Sequence, residues 1–75
     1  MVNITFCSNL HEELNLNEKA TVCYEEGMTA RNVLEKFGID EALIGIIIKE
    51  GLFVAPSDSL KDGDCIEIYP TLIGG

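Results

Sequence analysis

The sequence predicts an α+β fold in which a mixed sheet of four to five strands carries one main helix packed on one face. Three observations lead to that expectation. Runs with a period of two lie near both ends of the chain, one stripe between them has helical spacing, and 75 residues suffice for one small domain but not for two.

Val2, Ile4 and Phe6 alternate with Asn3, Thr5 and Cys7, the pattern of a strand with one face in a core. The polar stretch from Ser8 to Asn17 reads as a long hairpin loop. It leads to Ala20-Thr21-Val22-Cys23-Tyr24, which alternates again and is rich in strand formers. Glu25-Glu26-Gly27 breaks the pattern. Thr29 then stands where a helix N-cap belongs, Ala30, Val33, Leu34 and Phe37 recur at helical spacing, and Gly38 is placed to end the helix. The stripe needs no ligand to explain it, because a short helix lying across a sheet must bury one apolar face.

Residues 39–43 read as a connection. Ile44-Gly45-Ile46-Ile47-Ile48 is a continuous apolar run, which predicts a strand buried on both faces or at the sheet centre. Glu50-Gly51 supplies a turn into a brief strand, Leu52-Phe53-Val54. Pro56 marks a loop or sheet edge, with Leu60 expected to plug the core beneath it. After the tight turn Asp62-Gly63-Asp64, the last strand places Ile66 and Ile68 on one side and Cys65, Glu67 and Tyr69 on the other. Pro70 has no N–H with which to extend a ladder. The order strand, strand, helix, strand, short strand, strand is that of a β-grasp domain, expected over 1–69, with an extended tail over 70–75.

Composition narrows the function. Five basic against 13 acidic residues give a net charge of −8, which repels phosphate backbones and anionic lipid, so neither nucleic acid nor membrane is expected as a partner. The apolar runs are short and no charged leader precedes a long one, so the expected location is cytoplasmic. Cys7, Cys23 and Cys65 are odd in number, distant in sequence and without C-x-x-C spacing. With His11 the only histidine, they suggest small partly buried hydrophobes rather than a disulfide framework or a metal set, and no bound cofactor is expected. A domain this small buries only about 60% of its unfolded surface and has little room for an enclosed pocket, which favours a carrier or binder over an autonomous enzyme.

The sequence closes on Gly74-Gly75 shortly after Pro70. Six residues from Pro70 onward can extend roughly 20 Å at ~3.3 Å per residue, and two glycines would let the last carboxylate enter a narrow active site of another protein. The tail alone is better read as a frayed end. No basic residue follows Lys61, so the last 14 positions form an acidic end suited to a basic partner surface, or simply to solubility.

The segment Leu60-Lys61-Asp62-Gly63-Asp64-Cys65-Ile66-Glu67-Ile68-Tyr69-Pro70, closing on Gly74-Gly75, resembles the C-terminal signature of the ThiS/MoaD sulfur-carrier family, whose members are ubiquitin-like. Length and element order fit that family along the whole chain. The resemblance implies chemistry at Gly75: an E1-like adenylating enzyme uses ATP to convert the carboxylate to an acyl-adenylate, and sulfur then displaces AMP to leave a thiocarboxylate. An ionised α-carboxyl, with a reference pKa of about 3.3 to 3.7, resists nucleophiles until it carries such a leaving group.

In that scheme Gly74 is the slim neighbour that admits the tail, and Leu72 and Ile73 anchor it in the partner's channel. Pro70 lowers the entropy cost of ordering, and Tyr69 and Cys65 mark a docking patch. No side chain of the chain itself is catalytic. Sulfur would pass to molybdopterin or the tungsten cofactor through a synthase catalytic subunit, or to the thiamine thiazole through a thiazole synthase. Pro70 and the Ser8 to Asn17 loop resemble the molybdopterin small subunit more closely, although Thr71 stands where many small subunits have a second proline. A ubiquitin-like modifier joined to lysines, and a plain β-grasp interaction module, are the alternatives.

Overall fold

The computed structural model describes residues 1–71; Leu72, Ile73, Gly74 and Gly75 lie outside the described residues. In chain order the elements are β1 (Val2–Phe6), α1 (Leu10–Glu13), β2 (Lys19–Val22), α2 (Ala30–Lys36), a 3-10 turn (Glu41–Leu43), β3 (Ile44–Lys49), β4 (Leu52–Val54) and β5 (Cys65–Pro70). The strands form one five-stranded sheet in the order β2-β1-β5-β3-β4. β1 and β5 run parallel at its centre, and the remaining neighbours are antiparallel. This is the expected α+β, ubiquitin-like β-grasp arrangement, with α2 as the main helix on one face.

Local chemistry sets the main helix. Thr29 accepts a hydrogen bond from the Asn32 N–H through its hydroxyl, while the Asn32 side chain accepts from the Thr29 N–H, a reciprocal cap. Two further first-turn donors, the N–H groups of Ala30 and Arg31, are satisfied by the Asp58 and Pro56 carbonyls, so the 55–60 loop is tied to the helix start. At the other end Gly38 adopts φ +68°. Ile39 N–H reaches the Leu34 carbonyl and Gly38 N–H that of Glu35, a Schellman closure that only a residue tolerant of positive φ makes at low cost.

The core lies between this helix and one face of the sheet. Val2, Ile4, Phe6, Ile47, Ile66 and Ile68 meet Met28, Ala30, Val33 and Leu34, with Leu10, Ile39 and Leu60 closing the margins. Phe6 and Phe37 pack edge to face at 5.6 Å. Leu60 is buried, as its sequence position predicts.

Three expectations need correction. The Ser8 to Asn17 stretch is not a simple loop: it folds into α1, and Leu10 inserts fully into the core. Left-handed conformations at Ser8, Asn9 and Asn15 allow the tight entry and exit, and asparagine tolerates that region better than most residues. β2 stops at Val22 rather than Tyr24. Most consequential, β3 is not buried on both faces. Only Ile47 among its residues is fully covered, and Ile46 is 42% exposed. The helices and loops of this short chain cover one side of the sheet, so the apolar residues that alternate with Ile47 face outward.

Candidate functional site

The register places the outward residues side by side. Ile46 pairs with Tyr69, and Ile48 sits between Glu67 on β5 and Phe53 on β4. Directly opposed residues point to the same side of a sheet, so Tyr69, Ile46, Ile48 and Phe53 form an apolar half-face opposite the main helix. Phe53 is 78% exposed. The other half of the same face is polar, with Asn3 and Thr5 on β1 paired to Thr21 and Lys19 on β2. One shallow groove of about 310 Å³ on the apolar half is lined by Ser8, Gly45, Ile46, Tyr69 and Pro70, and a second, of about 230 Å³, lies beside β3 and β4, lined by Glu41, Ile44, Ile46, Ile47, Phe53 and Val54 from both sides of the sheet.

Tyr69 and Cys65 share this face of β5 but not one site. They are separated by Glu67 and four positions, roughly 13 Å at ~3.3 Å per strand residue. Cys65 instead lines a groove with Asn3, Thr5, Lys19 and Thr21, and the Asn3 amide donates to its sulfur at 3.7 Å. Tyr69 stands beside Cys7. Contact with the Cys7 side chain, followed by charge repulsion from Cys7 and Glu67, holds the Tyr69 phenol above its ordinary pKa. A neutral phenol beside Ile46 and Pro70 is compatible with burial under a partner.

Pro70 pairs with Ile44 and belongs to β5, so the strand includes the residue at which the tail was expected to begin. Proline lacks a donor but keeps its carbonyl and an extended φ, so it can close a strand. Thr71 is held as well: its N–H donates to the Leu43 carbonyl at 3.0 Å and its hydroxyl to the Ala42 carbonyl at 3.1 Å. The expected covalent site Gly75 and the tail residues Leu72, Ile73 and Gly74 lie outside the described residues. Among the described residues no cluster of three or more His, Cys, Asp or Glu side chains could hold a metal ion, and no helix is long and apolar enough to cross a membrane.

Sequence reasoning missed Ile46, Ile48 and Phe53 as surface residues. The signal was available: a chain with one main helix can cover one face of a sheet, so an apolar strand read as doubly buried must leave one side open.

Comparison with known proteins agrees with this architecture. The family model of the Mut7-C ubiquitin group matches residues 1–73. The sulfur carrier protein ThiS of Thermus thermophilus is 32% identical over 53 residues, covering 67% of this chain and 83% of that protein. A Pyrococcus furiosus protein described as a molybdopterin converting factor, subunit 1, superposes with a TM-score of 0.72 at 20% identity, over 95% of this chain and 97% of that one.

Proposed function

Since the chain belongs to the Mut7-C ubiquitin family and, with it, to the ThiS/MoaD group of ubiquitin-like proteins, we propose that it is a sulfur carrier. Its C-terminal carboxylate at Gly75 is adenylated by an E1-like enzyme at the expense of ATP and converted to a thiocarboxylate. The carbonyl carbon loses its bond to the AMP oxygen as it gains one to sulfur: sulfide displaces AMP directly, whereas a protein-bound persulfide gives an acyl disulfide from which a second thiol releases the thiocarboxylate by forming a disulfide with the donor. The chain acts as a co-substrate, and the catalytic groups belong to its partners.

The observation that carries this reading is contiguity. β5 ends at Pro70 on the margin of the apolar half-face, beside Tyr69, Ile46 and Gly45, so a partner that covers this face is already placed over the root of the tail. A net charge of −8 adds attraction to a basic partner surface.

For the sulfur acceptor the reading is molybdopterin or the tungsten cofactor, with this chain as the small subunit of the synthase. Pro70 and the length of the 8–17 segment support it. A second reading, donation to the thiamine thiazole through a thiazole synthase, is favoured by the identity with the Thermus protein. Reconstitution separates them. The thiocarboxylated chain is offered to each synthase subunit with its own precursor, and consumption of the sulfur by the thiazole synthase alone would overturn the molybdopterin assignment. Denaturation-resistant adducts on lysines of other proteins, with no transfer to either precursor, would replace both with a modifier role.

A further inference from the structure

The end of β5 crosses β3 more closely than any side chain would permit. Gly45 is the extra residue at the register shift of β3, where Ile44 pairs with Pro70 and Ile46 with Tyr69. A Cβ at position 45 would lie 2.6 Å from the Pro70 carbonyl oxygen and 3.1 Å from both the Pro70 carbonyl carbon and the Thr71 Cα. All three are backbone atoms, so no side-chain rotation relieves the overlap. Beyond this crossing the two Thr71 hydrogen bonds fasten the chain to the Ala42 and Leu43 carbonyls.

Those carbonyls are themselves held in place. The Asp40 side chain accepts from the Ala42 N–H at 2.9 Å and the Asp40 carbonyl from the Leu43 N–H at 2.9 Å, which shapes the 3-10 turn. Arg31 Nε donates to Glu41 Oε1 at 2.7 Å, linking the turn to α2. That bond holds the Glu41 carboxyl below the usual carboxylate range. An exposed pair of this kind adds little stability.

We infer that Gly45 and Thr71 form a strap that aims the tail, and that both are positioning residues for activation of Gly75. The strap leaves four residues beyond Thr71, at most about 14 Å of chain at ~3.6 Å each. It therefore sets the direction and the reach with which the carboxylate is presented once the apolar half-face is docked. With the strap open, the chain would pivot from Tyr69, and the same docking would no longer place the carboxylate on the adenylating centre. The inference rests on the carrier reading.

Two variants test it. Gly45→Ala forces the 70–71 backbone away from β3, and Thr71→Val keeps the β-branched shape while deleting the hydroxyl bond. Each is followed by amide hydrogen exchange at Thr71 and by the kinetics of ATP-dependent activation with the cognate adenylating enzyme. The strap predicts a protected Thr71 amide in the natural chain, and lost protection in Gly45→Ala with the exchange of Ile66 and Ile68 unchanged.

It also predicts that kcat falls by about tenfold to a hundredfold in Gly45→Ala, the scale of an ångström-sized misplacement. Because Gly45 and Pro70 also line the docking groove, the split between kcat and KM is read in Thr71→Val, where kcat falls to a smaller degree and KM changes far less. An exposed Thr71 amide in the natural chain overturns the strap. So does a natural kcat in a folded Gly45→Ala chain or in Thr71→Val, whatever the amide at position 71 shows. If Gly45→Ala does not fold, Thr71→Val decides the matter. If the natural chain is not activated at all, the carrier reading fails and takes the positioning role with it, whatever the Thr71 amide shows.

Discussion

Phe53 offers the sharpest separation of docking from folding. It stands on β4 at the edge of the sheet, 78% exposed, with its ring on the apolar half-face next to Ile48. Full burial of a phenylalanine side chain is worth roughly 1.5 to 3 kcal/mol. About a fifth of Phe53 is already covered, so docking stands to gain about four-fifths of that, roughly 1.2 to 2.4 kcal/mol. At about 1.4 kcal/mol per factor of ten, Phe53→Ser should raise the Kd for the adenylating enzyme by about 7-fold to 50-fold.

Folding stability should move by no more than about 0.5 kcal/mol, as for other exposed sites. Leu52 is the matched control: it is 70% exposed, but the alternation of β4 turns it to the opposite side. Leu52→Ser should leave Kd unchanged. Titration calorimetry of both variants, with urea melts of each, measures all four quantities. Equal losses of affinity in the two variants, or none in Phe53→Ser, would refute the assignment of the outer face as the docking surface.

Two further outcomes follow from the core and from Tyr69. Leu10→Ala deletes a fully buried side chain and should lower unfolding free energy by about 2 to 5 kcal/mol in urea melts, whereas a surface loop would tolerate the change. Tyr69 should ionise later than an ordinary tyrosine in an ultraviolet pH titration on a Tyr24→Phe background, and Cys7→Ala should bring it down, because Cys7 is the first cause of the shift. The sign for stability follows from the raised folded value. The contribution is fully present below the unfolded pKa of about 10 and is lost as pH rises through the folded value.

Much of this fold is legible in the residues themselves. Thr29 and Gly38 bracket the helix because capping chemistry is local, and the alternation of Ile66 and Ile68 with Glu67 reports a face without knowledge of any neighbour. What escaped the sequence depends on distant partners. α1 is four residues long, too short for a periodic signal, and exists because Leu10 finds the core. Ile46 and Ile48 look like core residues until one knows that, among the described residues, no helix lies over them. Gly45 passes unmarked within a continuous apolar run, and its reason, the backbone of Pro70 and Thr71, lies 25 residues further along. The chemistry assigned to Gly75 was legible only by resemblance, and the register adds what resemblance did not contain, an apolar face continuous with the exit of the tail.

The most direct test is the intact mass of the chain after incubation with its adenylating enzyme, ATP and a sulfur donor, beside a variant lacking Gly75. The account predicts that the full chain exchanges one oxygen for sulfur at its C-terminus while the shortened chain, equally folded, does not. No exchange in the full chain, with an adenylating enzyme shown to be competent on another carrier, would contradict it.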